Sequence, residues 1–460
     1  MGSQIDRSSG DGISPLTAVA QQLHLSPTLQ INEASRLRAE KGQSVVRLGF
    51  GEATFPIQKD VLAAHREASK ATSYLPVAGL MSLRQSIAAF QSHRLGTPVK
   101  AEQVVVAPGS KPLLFALFDI LEGDVLLPRP SWVSYEPQVL HAGKKLFWVE
   151  TDPVDRHTIT AAALEKTYSQ AITDGAHPRI MLINSPSNPT GRVFSEENLE
   201  IINTFCTTHN ITLISDEIYS DIVFDASLTS APSPCYGDWF SVGHKIMTGG
   251  MSKTYSAGGW RVGFMIVQDT EFGATVQKAL LAYASECWSA ASTPAQEAAT
   301  VAFAPTPVMD LYRSQVAKLH KQCAMGLCKG LVDCGLDVAE PQGAFYVYPS
   351  FQPYAAQLKA LGITTSLQLS HWLISECGVA ALPGSAFGEI DDDKQVPGGT
   401  FRLRMATSYL YFHDEAERYG TGYDLLATAS NKAHPISLPL LDEAIKSLHA
   451  AVDRLKAVKV

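Results

Sequence analysis

At 460 residues the chain is too long for one compact core, and its apolar fraction of 45% and charged fraction of 18% are those of a soluble globular protein. No stretch reaches the roughly 18 uninterrupted apolar residues of a membrane span, and a net charge of -8 offers no basic surface to nucleic acid, so neither is expected as a partner. The seven cysteines form no CxxC pair and no metal-ligand spacing, which predicts free thiols, a cytoplasmic location and no metal site.

Residues 1–14, MGSQIDRSSGDGIS, are polar, rich in Gly and Ser, and read as a disordered leader. From about residue 100 to 270, short apolar runs alternate with longer segments of helical pattern, the signature of a parallel sheet with crossover helices. The strand candidates are QVVVA (103–107), DVLL (124–127), RIMLI (179–183), ITLIS (211–215), KIMT (245–248) and VGFMIV (262–267), with PLLFALFDIL (112–121) as a helix. After about residue 310 a long helical stretch (308–335) leads to the strand candidates GAFYVYP and TFRLRMA. These boundaries predict a large domain over 51–310, and a smaller one assembled from 15–50 and 311–460.

In such sheets ligands collect beyond the carboxyl ends of the strands. The residues that follow the apolar runs are Gly109 and Ser110, Trp132, Asn184 to Asn188, Asp216, and Lys253. All are polar, aromatic or glycine residues suited to one shared site.

Taken singly, each motif has a plain structural reading. NSPSNPTG (184–191) is a turn that uses Asn, Pro and Gly for its dihedrals, and the Asp216 of SDEIY (215–219) serves equally as a helix cap. A lysine chosen at random is a solvated surface group, but Lys253 sits in the Ser- and Gly-rich loop MSKTYSAGGWRVGF, with Arg261 eight residues on, just before a strand.

Together, the NPTG turn, the DEIY tetrad, the lysine loop and the FRLRMA strand resemble the class I and II aminotransferases, in that family's order and approximate spacing, over about residues 15 to 450. The resemblance implies the α/β fold of the fold-type I PLP-transferases: a large domain with a mostly parallel central sheet flanked by helices, plus a smaller α+β domain. It also implies a cofactor, pyridoxal 5′-phosphate (PLP), and an amino group moved from an L-amino acid to a 2-oxo acid, 2-oxoglutarate by default.

By the same resemblance Lys253 forms the Schiff base and shuttles the proton at the substrate Cα, for which its amine must be neutral. Asp216 pairs with the pyridine nitrogen, Asn188 and Tyr219 donate to the phenolic oxygen, and Trp132 stacks on the ring. Gly109, Ser110 and Lys111 open a helix suited to the phosphate, with Ser252 and Arg261 closing the cup. Tyr74 matches the tyrosine that the family lends to a neighbouring subunit's phosphate, which implies a homodimer with shared sites. Arg402 is expected to clasp the substrate α-carboxylate with its planar fork, helped by Asn184 and by the backbone of Gly51.

The chain departs from the family pattern in places. Gly250 stands where Ser is common, Arg404 where a small residue is common, and 409–437 is longer than the link expected there. Cys287 and Trp288 lie where the family often builds side-chain specificity. The same lysine, aspartate and arginine also serve PLP lyases, cyclases, decarboxylases and oxidases, and a non-catalytic sensor would keep the fold without turnover.

Overall fold

The computed structural model describes residues 14–17, 20–21, 27–391, 401–431 and 436–460. The leader expected over 1–14 therefore lies, apart from Ser14, outside the described residues.

A seven-stranded sheet forms the centre, in the order β2-β8-β7-β6-β5-β3-β4. Its strands are β2 (Val104–Ala107), β3 (Asp124–Arg129), β4 (Leu146–Glu150), β5 (Pro178–Asn184), β6 (Thr212–Asp216), β7 (His244–Gly250) and β8 (Gly263–Val267). Strands β7, β6, β5, β3 and β4 run parallel, whereas β8 is antiparallel to both its neighbours. The reversal has a local cause: the link between β7 and β8, residues 251–262, holds one 3-10 turn at Gly258–Trp260 and no α-helix. A parallel return usually runs through a crossover helix.

Buried Val, Ile, Leu and Met fill β2, β5 and β6, as expected of strands covered on both faces. The apolar runs picked out in the sequence become β2, β3, β5, β6, β7 and β8. Strand β4, LFWVE, was not anticipated; it is a sheet edge, mostly half-buried, and so lacks the continuous apolar run of its neighbours.

A second, smaller group of strands follows. Antiparallel β11 (Leu382–Pro383), β12 (Leu403–Ala406) and β9 (Tyr346–Val347) form a three-stranded sheet. Strand β1 (Val46–Arg47) pairs in parallel with β10 (Val379–Ala380), so residues before 50 do join those after 310.

The helices needed below are α1 (Ser110–Ile120), α2 (Pro307–Asp333), α3 (Glu415–Ala429) and α4 (Pro439–Lys456). Helix α2 packs against α3 and α4 and supplies much of the core that they share with the small sheet. None of the helices among the described residues is long and apolar enough to cross a membrane.

Candidate active site

A cavity of about 500 Å³ opens at the carboxyl edge of the central sheet. The loop after β2 brings Ser110 and Lys111 to it, the loop after β3 Trp132, the end of β5 Asn184 and Asn188, the end of β6 Asp216 and Tyr219, and the loop after β7 Ser252, Lys253 and Arg261. Gly51 also lines it.

Lys253 is partly buried, and its Nζ donates to Gly51 O at 2.6 Å. Removal from bulk water, then the nearby Arg404 guanidinium, pull its pKa down to about 8, toward the neutral amine that nucleophilic attack requires. Its Nζ stands 5.6 Å from the centre of the Tyr219 ring and 5.7 Å from that of Phe345.

Asp216 ends β6 deep in the protein, where burial raises its carboxyl to about pKa 6. Its Oδ2 accepts from the Tyr135 hydroxyl at 2.7 Å and its Oδ1 from Thr248 Oγ1 at 3.2 Å. A buried carboxylate held in place by neutral donors favours a cation before it, which suits a protonated pyridine nitrogen. Tyr219 Oη lies 2.6 Å from Tyr346 Oη.

At the other end, Gly109 caps α1 without any side-chain hydrogen bond, so first-turn N–H groups and the helix dipole face an anion site. Gly109 adopts φ +95°, and a Cβ there would fall 2.1 Å from Arg261 Nη2. Lys111 Nζ sits 4.9 Å from the Trp132 ring centre, its pKa lowered by burial and then by Arg261. The donor set thus fits a phosphate at one end of the cavity and an aromatic aldehyde at the other.

Two expected residues lie elsewhere. Tyr74 is 95% exposed and outside the cavity. Arg402 is buried beside Glu389, Nη1 to Oε1 3.6 Å, and does not line the cavity; Arg404 does. The two side chains share a strand face, but Arg404 lies two residues, about 6.6 Å, further along the chain. It is stacked 4.8 Å from the Tyr346 ring centre and 5.4 Å from that of Phe387, its Nη1 donates to Asn188 Oδ1 at 3.4 Å, and its Nη2 donates to Gly49 O. Asn184 lines the cavity with its amide engaged: Nδ2 donates to Asp216 O, and Oδ1 accepts from Asn188 N, each at 2.8 Å. It ties the two strand ends together.

Sequence reasoning missed Tyr135, Thr248, Tyr346, Phe50 and Glu52, which line the cavity or hold its groups. Tyr346 and Thr248 stood in strands already recognised, and alternation along them was the available signal. Cys287 and Trp288 do not line the cavity. The departure at Gly250 is steric, since a Cβ there would lie 2.8 Å from Val262 O and 3.0 Å from Gly263 Cα.

The model of the aminotransferase class I and II family matches residues 43–409. The chain belongs to this family. Among similar proteins, a probable aspartate/prephenate aminotransferase of Aquifex aeolicus is 34% identical, over 81% of this chain and 91% of that one. An aspartate aminotransferase of Geobacillus stearothermophilus is 31% identical, over 85% and 95% respectively. Thermus thermophilus aspartate aminotransferase, solved with maleate, superposes with a TM-score of 0.78 at 25% identity, covering 95% of this chain and all (100%) of that one. This class I and II aminotransferase has the fold-type I architecture, uses PLP, and acts on amino acids and 2-oxo acids.

Proposed function

We propose that this aminotransferase works through Lys253, Asp216 and Arg404, with 2-oxoglutarate as acceptor in a two-stage exchange in which donor and acceptor use one cavity in turn. The observation that carries this is the convergence of a lysine of lowered pKa, a buried carboxylate and a buried guanidinium on one cavity wall. When bound, PLP supplies an electrophilic aldehyde and an electron-withdrawing ring.

Lys253 would hold the cofactor through its amine, and that amine, when free, stands ready to move the proton at the substrate Cα. Asp216 would hold the ring nitrogen, with Tyr135 and Thr248 fixing the carboxylate. Tyr219 and Asn188 would serve the phenolic oxygen, and Trp132 would cover the ring. Ser110, Lys111, Ser252 and Arg261, with the backbone after Gly109, would hold the phosphate. Arg404, oriented by the Tyr346 ring, takes the α-carboxylate role that the sequence suggested for Arg402. Gly51 lines the substrate end, and Asn184 holds Asn188.

The exposure of Tyr74 supports a homodimer in which this hydroxyl completes the neighbour's phosphate cup, and the free cysteines support a cytoplasmic location. The seven-stranded sheet, whose strands all fall within 104–267, and the pairing of β1 with β10 support a large domain over 51–310 and a small one built from 15–50 and 311–460. Relatives are named for aspartate, which makes it the first donor to try.

Borohydride reduction of the purified protein is expected to fix PLP on Lys253, and aspartate to bleach the visible band in the half-reaction. Lys253→Ala should lose the fixed adduct and about 10⁴-fold in half-reaction rate. An unchanged adduct in that variant would reject the assignment.

A further inference from the structure

The family match ends at residue 409, so α3 lies outside it, in the segment that the sequence marks as an insertion. The helix begins at the Asp414 cap, which accepts from Glu417 N at 2.9 Å, and it buries Leu426 and Ala429 toward α2. Gly422 brings it close to the chain at Pro56, whose Cδ would lie 2.7 Å from a Cβ at 422.

Residues 51–57 run past α3 without regular secondary structure. A backbone of this kind needs outside partners for its carbonyl groups, and here side chains supply them. Lys253 donates to Gly51 O at 2.6 Å, Ser256 Oγ to Ala53 O at 2.6 Å, Arg418 Nε to Phe55 O at 2.9 Å, and the Tyr423 hydroxyl to Ile57 O at 2.8 Å. Arg418 and Tyr423 both belong to α3.

Arg418 does more than satisfy one carbonyl. Its Nη2 reaches across to the lysine loop and donates to Ser256 Oγ at 3.0 Å and to Ser256 O at 3.4 Å. Ser256 ends the turn that starts at Lys253, its N–H donating to Lys253 O at 3.4 Å, and it holds φ +53°, a conformation costly for a residue with a side chain. Such a turn persists only when its surroundings fix it. The planar fork of Arg418 contacts both of the segments that meet at Lys253.

We propose that Arg418 is a positioning residue for the reaction: from a helix outside the family match, it clamps the Lys253–Ser256 turn to the backbone of residues 51–55 and so sets where the lysine amine stands in the cavity. The inference rests on Lys253 being the reactive amine. It assigns α3 a task in the chemistry, where a peripheral addition would only add buried surface.

Tyr423→Phe is the internal control, because it removes a bond from the same helix to the same segment without touching the lysine loop. Arg418→Ala is expected to slow the aspartate half-reaction on the order of tenfold to a hundredfold, the scale of a small misplacement of a reacting group, and to shift the pH midpoint of the visible band. In the cofactor-free chain it should speed hydrogen exchange at residues 251–257 beyond what Tyr423→Phe does. Arg418→Lys, which keeps the charge and loses the fork, should resemble Arg418→Ala. Ser256→Ala approaches the contact from its other end and also removes the bond to Ala53 O; combined with Arg418→Ala, the loss should be smaller than the sum of the two single losses, because the side chains share one contact.

If Arg418→Ala and Tyr423→Phe both lower the melting temperature while rate, midpoint and loop exchange stay at wild-type values, the positioning role is rejected. If the wild-type protein fixes no PLP on Lys253, the functional reading itself fails. The two failures are thus told apart by the wild-type reduction experiment alone.

Discussion

The carboxyl edge of the central sheet and the small sheet of β9, β11 and β12 both deliver charged groups toward one region, and they do so with different reliability. At the large sheet, Asp216 and Lys253 each follow a buried strand paired on both sides, and both arrive in the cavity as their position in the chain implied. In the small sheet the strands are short, and Arg402 and Arg404 share a face. Which of them reaches the cavity is decided by neighbours remote in sequence: Glu389 holds Arg402 behind the wall, and the Tyr346 and Phe387 rings cradle Arg404 within it.

The comparison breaks most visibly at Asp216. Asp216→Ala should lower the half-reaction rate by about 10²- to 10³-fold, the scale of losing a fixed charge in a dry site, with weaker PLP retention seen by absorbance after dialysis. Retained rate would show that the large sheet does not place its groups as described.

The small sheet is tested next by its two arginines. Arg404→Ala should weaken amino acid binding in the half-reaction by about 2 kcal/mol or more, the cost of truncating one member of a buried charge pair. Arg402→Ala should instead cost about 2 kcal/mol of folding stability by stranding Glu389, with binding changed far less. A reversed pattern, read by half-reaction titration and denaturant melts, would return the carboxylate to Arg402.

The smallest effect concerns pH. Burial, partly offset by Arg402, raises the Glu389 carboxyl from its usual 4.5 to about 7. Between those values the folded chain keeps a proton that the unfolded chain has released, so this group's contribution is fully present at low pH and fades as pH rises to about 7. Glu389→Gln should flatten that slope in melts taken from pH 5 to 8; an unaltered slope would mean that the carboxyl titrates normally.

Much of this could be read in advance, for identifiable reasons. The positions along the chain of six central strands followed from short apolar runs, and the candidate site from what followed each run. Strand β4 escaped because this edge strand is not fully apolar, and β8 reversed direction where no α-helix intervenes between it and β7. Tyr135 and Tyr346 escaped because a tyrosine in a mixed apolar segment looks like packing until its hydroxyl is seen against Asp216 or Tyr219. The part played by Arg418 had no local signature, since its partners lie 162 and 363 positions away in the chain.

Gly109 lets the guanidinium of Arg261 come to rest against the main chain at the mouth of α1. The size of the anion receptacle is therefore set by a missing methyl group. Alanine at that place would compete with a fixed positive charge for the same few cubic ångströms, and whichever yielded, the grip on a phosphate would loosen without any polar group having been removed.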